Sequence, residues 1–465
     1  MRLLLCVLLA ALFPAVGIAA QPSRAFTPSM LNTAQQLMQQ AAMDNIGYEI
    51  VQSLTTEVGP RLAGTEAEGR ARQWAVKKLT DLGFENVREE PFEVPLWERG
   101  VERAEIIAPF PQSLTIAALG GSASTGVAGV EAEVVAFESL AELAKSNADI
   151  VGGKIVFVNE VMARSRDGSG YFKAVLKRKK AAFAARDHGA KAVLIRSVGT
   201  SSHRFAHTGQ MRRIDYVSSN GVPAAALSAP DADQLQRALA YGEPVTIKLV
   251  LTPEVRPPAP SGNVVAEIVG REAPQEIVLV GAHLDSWDLG TGAIDDGAGV
   301  GIVVAAAKLL MEHLPQKPRR TIRVVLFGSE EVGVVGAEAY AKQHAGEIDQ
   351  HIIATESDFG SGDIWQFETR FAEDKLPLGE AIAAVLEPLG IAPGENKAFG
   401  GPDIKYLREA GVPVVTLRQD GTDYFDLHHT ANDTLDKIAP NALDQNIAAY
   451  AAFLYLAAET EAYFN

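Results

Sequence analysis

Three apolar runs, Ile277 to Ala282, Ile322 to Phe327 and Ile352 to Thr355, each stop just short of a residue that can bind a metal. A strand covered by helices on both faces is apolar nearly throughout, so these runs predict central strands of an α/β sheet, and each stops where the sheet meets solvent. An open α/β sheet keeps its site along that edge. The residues there are His283, the neighbours Glu330 and Glu331, and Asp358, while Asp295 and His429 flank the same stretch. Carboxylates and imidazoles converging without matching Lys or Arg repel one another unless a cation balances them, which makes a metal centre the first hypothesis.

A chain of 465 residues that is 47% hydrophobic can bury a large core and is long enough for two domains. Its net charge of −16 becomes −17 once Arg2 is subtracted with the leading segment, an acidity that argues against nucleic acid as a partner. That segment, residues 1–20, has Arg2, an apolar stretch from Leu3 to Ala11 and small residues Gly17, Ala19 and Ala20. It reads as a cleaved signal peptide, too short for a membrane anchor, and predicts a secreted or periplasmic protein. The single cysteine, Cys6, lies inside it, so disulfides and cysteine catalysis are excluded from the mature chain and any zinc must use His and carboxylate ligands.

From Leu31 to Leu82 helical periodicity, broken at Gly59, Pro60 and Gly64, predicts two or three helices over one face of the sheet. Between about Ala104 and Val255 short β-rich runs take over, at Glu133 to Phe137, Lys154 to Val158, Ala192 to Ile195 and Ala224 to Leu227. This is read as an inserted domain, residues 104–255, closed by a stiff proline-rich linker from Thr252 to Pro260. Strand and helix alternation then resumes to the C-terminus, as in a mostly parallel three-layer sheet. The basic run from Lys173 to Lys180 is read as a solvated helix face.

Each candidate also has a plain structural reading: a strand-end histidine, an Asp-Asp-Gly helix cap, a pair of loop glutamates. Their conjunction points to chemistry. Asp285 can accept a proton from His283 and fix its tautomer. Asp295, at a helix start, can bridge two cations through its two oxygens. Adjacent side chains diverge past a strand end, so Glu331 can bind metal while Glu330 addresses a water as general base. Two His and three carboxylates suit two metals about 3.5–4 Å apart.

In this order, His283-Leu-Asp285, Asp295-Asp296-Gly297, Glu330-Glu331, Asp358 and His429-Thr-Ala-Asn-Asp433-Thr resemble the secreted di-zinc exopeptidases, the family of bacterial zinc aminopeptidases and glutamate carboxypeptidases. The resemblance runs from about Asn263 to the C-terminus, and the helices before Glu90 fit the same domain. It implies a zinc peptidase domain of residues 21–103 and 256–465, with His283, Asp295 and Asp358 on one Zn²⁺ and Asp295, Glu331 and His429 on the other. It further implies Glu330 as base, Asp285 as support for His283, and a cis peptide between Asp295 and Asp296. Residues 104–255 resemble a protease-associated domain, and His207-Thr208-Gly209 with Gly221-Val-Pro223 is similar to the plasma glutamate carboxypeptidase branch, which acts on unblocked dipeptides. Relatives with this insertion imply a homodimer. Some relatives place an oxyanion-stabilising tyrosine where this chain has His428, with Tyr424 close by in sequence.

The expected substrate is therefore a short peptide. An aminopeptidase needs a carboxylate for the substrate ammonium, a carboxypeptidase needs cations or backbone N–H groups for the terminal carboxylate, and a dipeptidase needs both. Asp403, in Gly400-Gly-Pro-Asp403, and His207, near Arg204, Arg212 and Arg213, are candidate substrate contacts along with Tyr424 and His428. Two readings outside peptide hydrolysis remain: acyl transfer of the glutaminyl cyclase kind, and a non-catalytic binding protein.

Overall fold

The computed structural model describes residues 25–41, 43, 45–211 and 221–465, so the signal peptide read at residues 1–20, together with Arg212 and Arg213, lies outside the described residues. Two eight-stranded sheets organise the rest. The first runs in the spatial order Glu85–Glu98, Glu254–Ile268, Arg320–Phe327, Ala273–His283, His351–Glu356, Val414–Gln419, Ile364–Arg370, Ala392–Pro393. Its centre, from Arg320–Phe327 to Val414–Gln419, is parallel, and the strands Glu254–Ile268 and Ile364–Arg370 beside that centre run antiparallel to it. The sheet is thus mixed.

Alternate residues of one strand feed two different cores, as the period of a strand requires. Val278, Val280 and Ala282 pack with Leu37, Ile50, Val303 and Phe453, from the helices Pro28–Ala41, Ile46–Glu57, Ala298–His313 and Asp444–Glu459. Ile277 and Leu279 face the other way, onto Tyr340 of Val335–Gln343 and Leu407 of Lys405–Glu409. Helices therefore cover both faces, which is why the central runs carry no polar alternation. Among the described residues no helix is long and apolar enough to cross a membrane.

The second sheet has the order Gln112–Leu114, Glu102–Ala108, Thr246–Leu251, Val130–Phe137, Ile155–Val158, Ala192–Arg196, Ala224–Leu227, Ile116–Ala118. Chain enters and leaves it through one antiparallel ribbon, Glu85–Glu98 against Glu254–Ile268, registered from Glu85 opposite Glu267 to Glu98 opposite Glu254. The segment expected to be a proline-rich linker is thus part of a strand. Only its far portion, Val264 to Ile268, has a second neighbour, so Pro257, Pro258 and Pro260 occupy a two-stranded stretch where a missing N–H breaks no inner ladder.

The reading of the basic run as a solvated face holds at Lys173, Lys179 and Lys180, which are exposed, and is corrected at two positions. The run lies in the helix Ser169–Asp187, where Lys177 is fully buried with Nζ on the Glu160 carbonyl, and Arg178 is also buried. This helix is wedged between the second sheet and the first domain, so it offers positions 177 and 178 no solvated face.

Candidate active site

His283 closes its strand, buried. Its Nε2 lies 3.1 Å from Asp295 Oδ1 and 3.5 Å from Asp358 Oδ1. Its Nδ1 is 3.0 Å from the Asp285 backbone carbonyl, closer than the 3.7 Å to the Asp285 carboxylate that sequence reasoning favoured. That carboxylate accepts the backbone N–H groups of Glu330 at 3.0 Å and Glu331 at 3.3 Å. Asp285 therefore orients the imidazole with its main chain and the paired glutamates with its side chain.

Asp295 sits in the turn Ala293–Gly297, and the Asp295–Asp296 peptide is cis. Asp296 accepts from His283 N at 3.1 Å and Gly299 N at 3.0 Å, tying the strand end to the first turn of helix Ala298–His313. Asp433 accepts from Ile294 N at 2.6 Å and Asp295 N at 3.2 Å. Beneath them Arg61, fully buried, donates to the carbonyls of Leu284, Thr291 and Gly292 at 2.5, 2.6 and 2.9 Å. Sequence reasoning missed Arg61, because one arginine after Gly59-Pro60 carries no periodic or motif signal.

The second oxygen of Asp295 faces the other histidines. Asp295 Oδ2 is 3.3 Å from His429 Nε2, which is 2.9 Å from Glu331 Oε2. His428 stacks on His429 with ring centroids 3.5 Å apart, and its Nε2 lies 3.7 Å from Asp295 Oδ2. Ligand atoms of His283, Asp295 and Asp358 fall within 4.8 Å of one another, as do those of Asp295, His428 and His429. Asp295 Oδ2 and Glu331 Oε1 are buried with no hydrogen-bond donor. Donors about 2.0–2.1 Å from a tetrahedral zinc stand roughly 3.3 Å apart, close to the spacings here. The nitrogen and oxygen donor set, its orphaned oxygens and its spacing all fit divalent metal.

Charge in the cluster follows from burial and crowding. Burial, aided by Asp358 and Glu331, holds the Glu330 carboxyl well above the ordinary glutamate range. Burial opposes a charged His283, yet contacts with Asp285, Asp295 and Asp358 outweigh it and hold the ring well above its usual value. His429 is likewise raised, to about 9, by Glu331 and Asp295 against burial. Burial and the neighbouring His429 push His428 well below the histidine range.

These groups open onto a cleft of about 1150 Å³. Asp295, Glu330, Glu331, Glu356, Asp358 and His428 lie on one wall, and Tyr171, Arg178 and Lys179 come from helix Ser169–Asp187 on the other. The second sheet also grips the last ligand. Arg178 places a guanidinium nitrogen 3.2 Å from His429 Nδ1, the Thr208 carbonyl lies 3.3 Å from the same nitrogen, and Thr208 N donates to the His429 carbonyl at 3.0 Å. His207 is read differently from the sequence expectation: it is 2% exposed and its Nδ1 donates to the His428 carbonyl at 2.7 Å, so it holds the ligand segment from behind. Burial lowers it to about 4, which keeps it neutral. Tyr424 is buried in the cleft wall, its ring 5.1 Å from that of His428. Asp403 is buried against Glu356. Arg204 pairs with Asp231 at 3.0 Å.

Residues 263–454 match peptidase family M28. Carboxypeptidase Q from Rattus norvegicus is 36% identical over 417 residues, covering 90% of this chain and 86% of that protein. The crystal structure of a peptidase M28 precursor from Shewanella amazonensis SB2B is 50% identical with a TM-score of 0.91, over 94% of this chain and 98% of that one. BSAP, a zinc aminopeptidase from Bacillus subtilis, shares the fold at 20% identity and a TM-score of 0.64, over 89% of this chain and 95% of its own. At such identity and coverage, the chain belongs to peptidase family M28 and is a metallopeptidase.

Proposed function

We propose that the protein is a zinc-dependent exopeptidase that hydrolyses dipeptides or other short peptides outside the cytoplasm. The observation that carries the reading is Asp295, whose Oδ1 faces His283 at 3.1 Å and whose Oδ2 faces His429 at 3.3 Å, so that one carboxylate joins two ligand groups. His283 and Asp358 would hold one zinc with Asp295, and Glu331 and His429 the other. Bound there, zinc acidifies water and stabilises negative charge developing on a carbonyl oxygen.

The chain's own residues do the rest. Glu330 lines the cleft beside Glu331, with its backbone fixed by Asp285, and acts as the base that takes a proton from the attacking water and returns it to the leaving amine. Tyr424 and His428 border the same space and are the candidates for supporting the carbonyl oxygen. The second-sheet region, residues 104–255, would serve as the protease-associated-like domain that closes the cleft, in a protein assembled as a homodimer. Similarity to carboxypeptidase Q and to zinc aminopeptidases supports the peptidase reading over acyl transfer or mere binding.

The test is metal content together with hydrolysis of an unblocked dipeptide, its N-acetyl form and its C-amide. About two zincs per chain and loss of cleavage on either modification mark a dipeptidase. Tolerance of the amide alone marks an aminopeptidase, and tolerance of the acetyl group alone a carboxypeptidase. Absence of both metal and cleavage removes the reading.

A further inference from the structure

The buried carboxylates around the centre fall into two kinds. Asp285, Asp296 and Asp433 each accept two backbone N–H groups, from Glu330 and Glu331, from His283 and Gly299, and from Ile294 and Asp295. They are structural, and main-chain N–H groups occupy their oxygens. Glu356 and Asp403 are different. Glu356 is 5% exposed, lies two residues before Asp358 and lines the cleft. Its Oε2 accepts from Asp403 N at 2.8 Å, but its Oε1 meets no donor. Asp403 is 1% exposed, and neither of its oxygens has a donor.

A buried acceptor left without a donor is costly, and two carboxyls side by side double the demand for positive charge or hydrogen. Local packing preserves the arrangement. Gly401 runs at φ 121, and a Cβ on it would come within 2.2 Å of Glu356 Oε2, so only glycine lets this loop close over one carboxylate oxygen while the other stays free. Arg178, Lys179, Lys405 and Arg418 also line the cleft, together with Asp167 and Asp187.

We infer that Glu356, backed by Asp403, is the binding site for the α-ammonium group of the substrate. The ammonium brings N–H donors and a full positive charge to the cleft wall where Glu356 Oε1 lacks both, with the two donorless oxygens of Asp403 buried behind it. The pair lies beside Asp358, at the end of the cluster formed with His283 and Asp295, so an amine held there belongs to the residue on the N-terminal side of the scissile bond. This assignment rests on the exopeptidase reading and specifies which wall of the cleft reads the free amine.

The experiment compares zinc-loaded wild type, Glu356→Gln and Asp403→Asn on leucyl-leucine and on 4-methylpentanoyl-leucine, its analogue without the amine. Zinc content and melting temperature confirm that each variant is folded and loaded. The preference for the amine, read as the ratio of kcat/KM values, is expected to fall about 10- to 100-fold in Glu356→Gln, mostly through KM, with a smaller fall in Asp403→Asn. An unchanged ratio, with both compounds slowed alike, overturns the assignment. Calorimetric binding of leucyl-leucine to the same proteins separates the two hypotheses: if zinc-loaded wild type binds but hydrolyses nothing, the peptidase reading fails, while an at least tenfold weaker affinity in Glu356→Gln still upholds the ammonium site and an equal affinity overturns it.

Discussion

Both ends of the central sheet bury charged side chains, and they treat them in opposite ways. At the amino-terminal end Arg320, fully buried, pairs with Glu276 at 2.6 Å and donates to the Ala457 and Ala462 carbonyls at 3.1 and 3.0 Å. Three residues further along the strand, Arg323 meets Glu267 at 2.7 Å and the Tyr340 hydroxyl at 2.9 Å. Each anion there has a cation. At the carboxyl-terminal end Asp295, Glu331, Glu356 and Asp403 all keep at least one buried oxygen without a donor. Burying charge is tolerable only with a partner, so the end that lacks internal partners is the end prepared for external ones.

The sharpest way to break this contrast is to remove the one carboxylate assigned to proton transfer. Glu330→Gln is isosteric and leaves the backbone contact to Asp285 in place. Peptide hydrolysis should fall by about 10²–10⁴-fold while zinc content stays at the wild-type level. Undiminished turnover would move the base to another residue. Stripping the metal with a chelator should abolish turnover and lower the melting temperature, because whatever binds only the folded state stabilises it.

The next effect is on folding, and it should differ between the ends. Arg323→Met strands Glu267 in a buried position, and breaking such a pair costs about 3–5 kcal/mol. Asn86, whose side chain donates to Glu267 at 2.7 Å, holds the loss toward the lower figure. In the metal-free protein Asp403→Asn should not lower the denaturant midpoint at all, since it removes a charge that no donor satisfies. Equal losses from both substitutions would mean that the carboxyl-terminal end is paired after all.

A smaller effect tests the reach of the second sheet. Arg178→Met removes the guanidinium beside His429 Nδ1; with zinc on Nε2 that nitrogen carries the ring proton and gives it to the Thr208 carbonyl, so the variant loses a repulsion between two cations and keeps the outer hydrogen bond. Chelator competition should then extract the zinc held by His429 no more readily than from the wild-type protein. Easier extraction of that zinc would show instead that Arg178 positions the His429 ring for metal binding.

How far the sequence spoke follows the same division. The strands ending at His283, Phe327 and Glu356 were legible because burial on both faces leaves no polar alternation, and the chemistry sits in short contiguous motifs just beyond them. The strand Glu85–Glu98 was not, since its charged, proline-bearing sequence belongs to a ribbon at the sheet edge. Glu356 lay in plain sight inside Glu356-Ser-Asp358, yet only the loop folded back from Gly401 reveals that one of its oxygens is held and the other free. Arg61 and Arg178 reach the centre from remote segments, and no local pattern records a contact made across the fold.

The smallest prediction returns to the paired end. His344 is buried, with Nε2 3.0 Å from Glu90 and Nδ1 3.0 Å from the more exposed Glu347. Burial disfavours its charged form, but these carboxylates outweigh burial and raise it above the ordinary 6.5. Burial likewise works against the charge on Glu90, and His344 and Arg88 overcome it to hold that carboxyl below 4.5. A raised histidine contributes stability that is complete below its unfolded value and lost as pH climbs through its folded one. A depressed glutamate contributes above its unfolded value and loses that as pH falls. The pair is therefore strongest between these two ordinary values, and His344→Gln should destabilise by about 1 kcal/mol or less near pH 6, given partial solvent screening, and by less still near pH 9. Denaturant midpoints of the two proteins at both pH values measure the difference, and a gap that stays constant across them would show that His344 contributes packing alone.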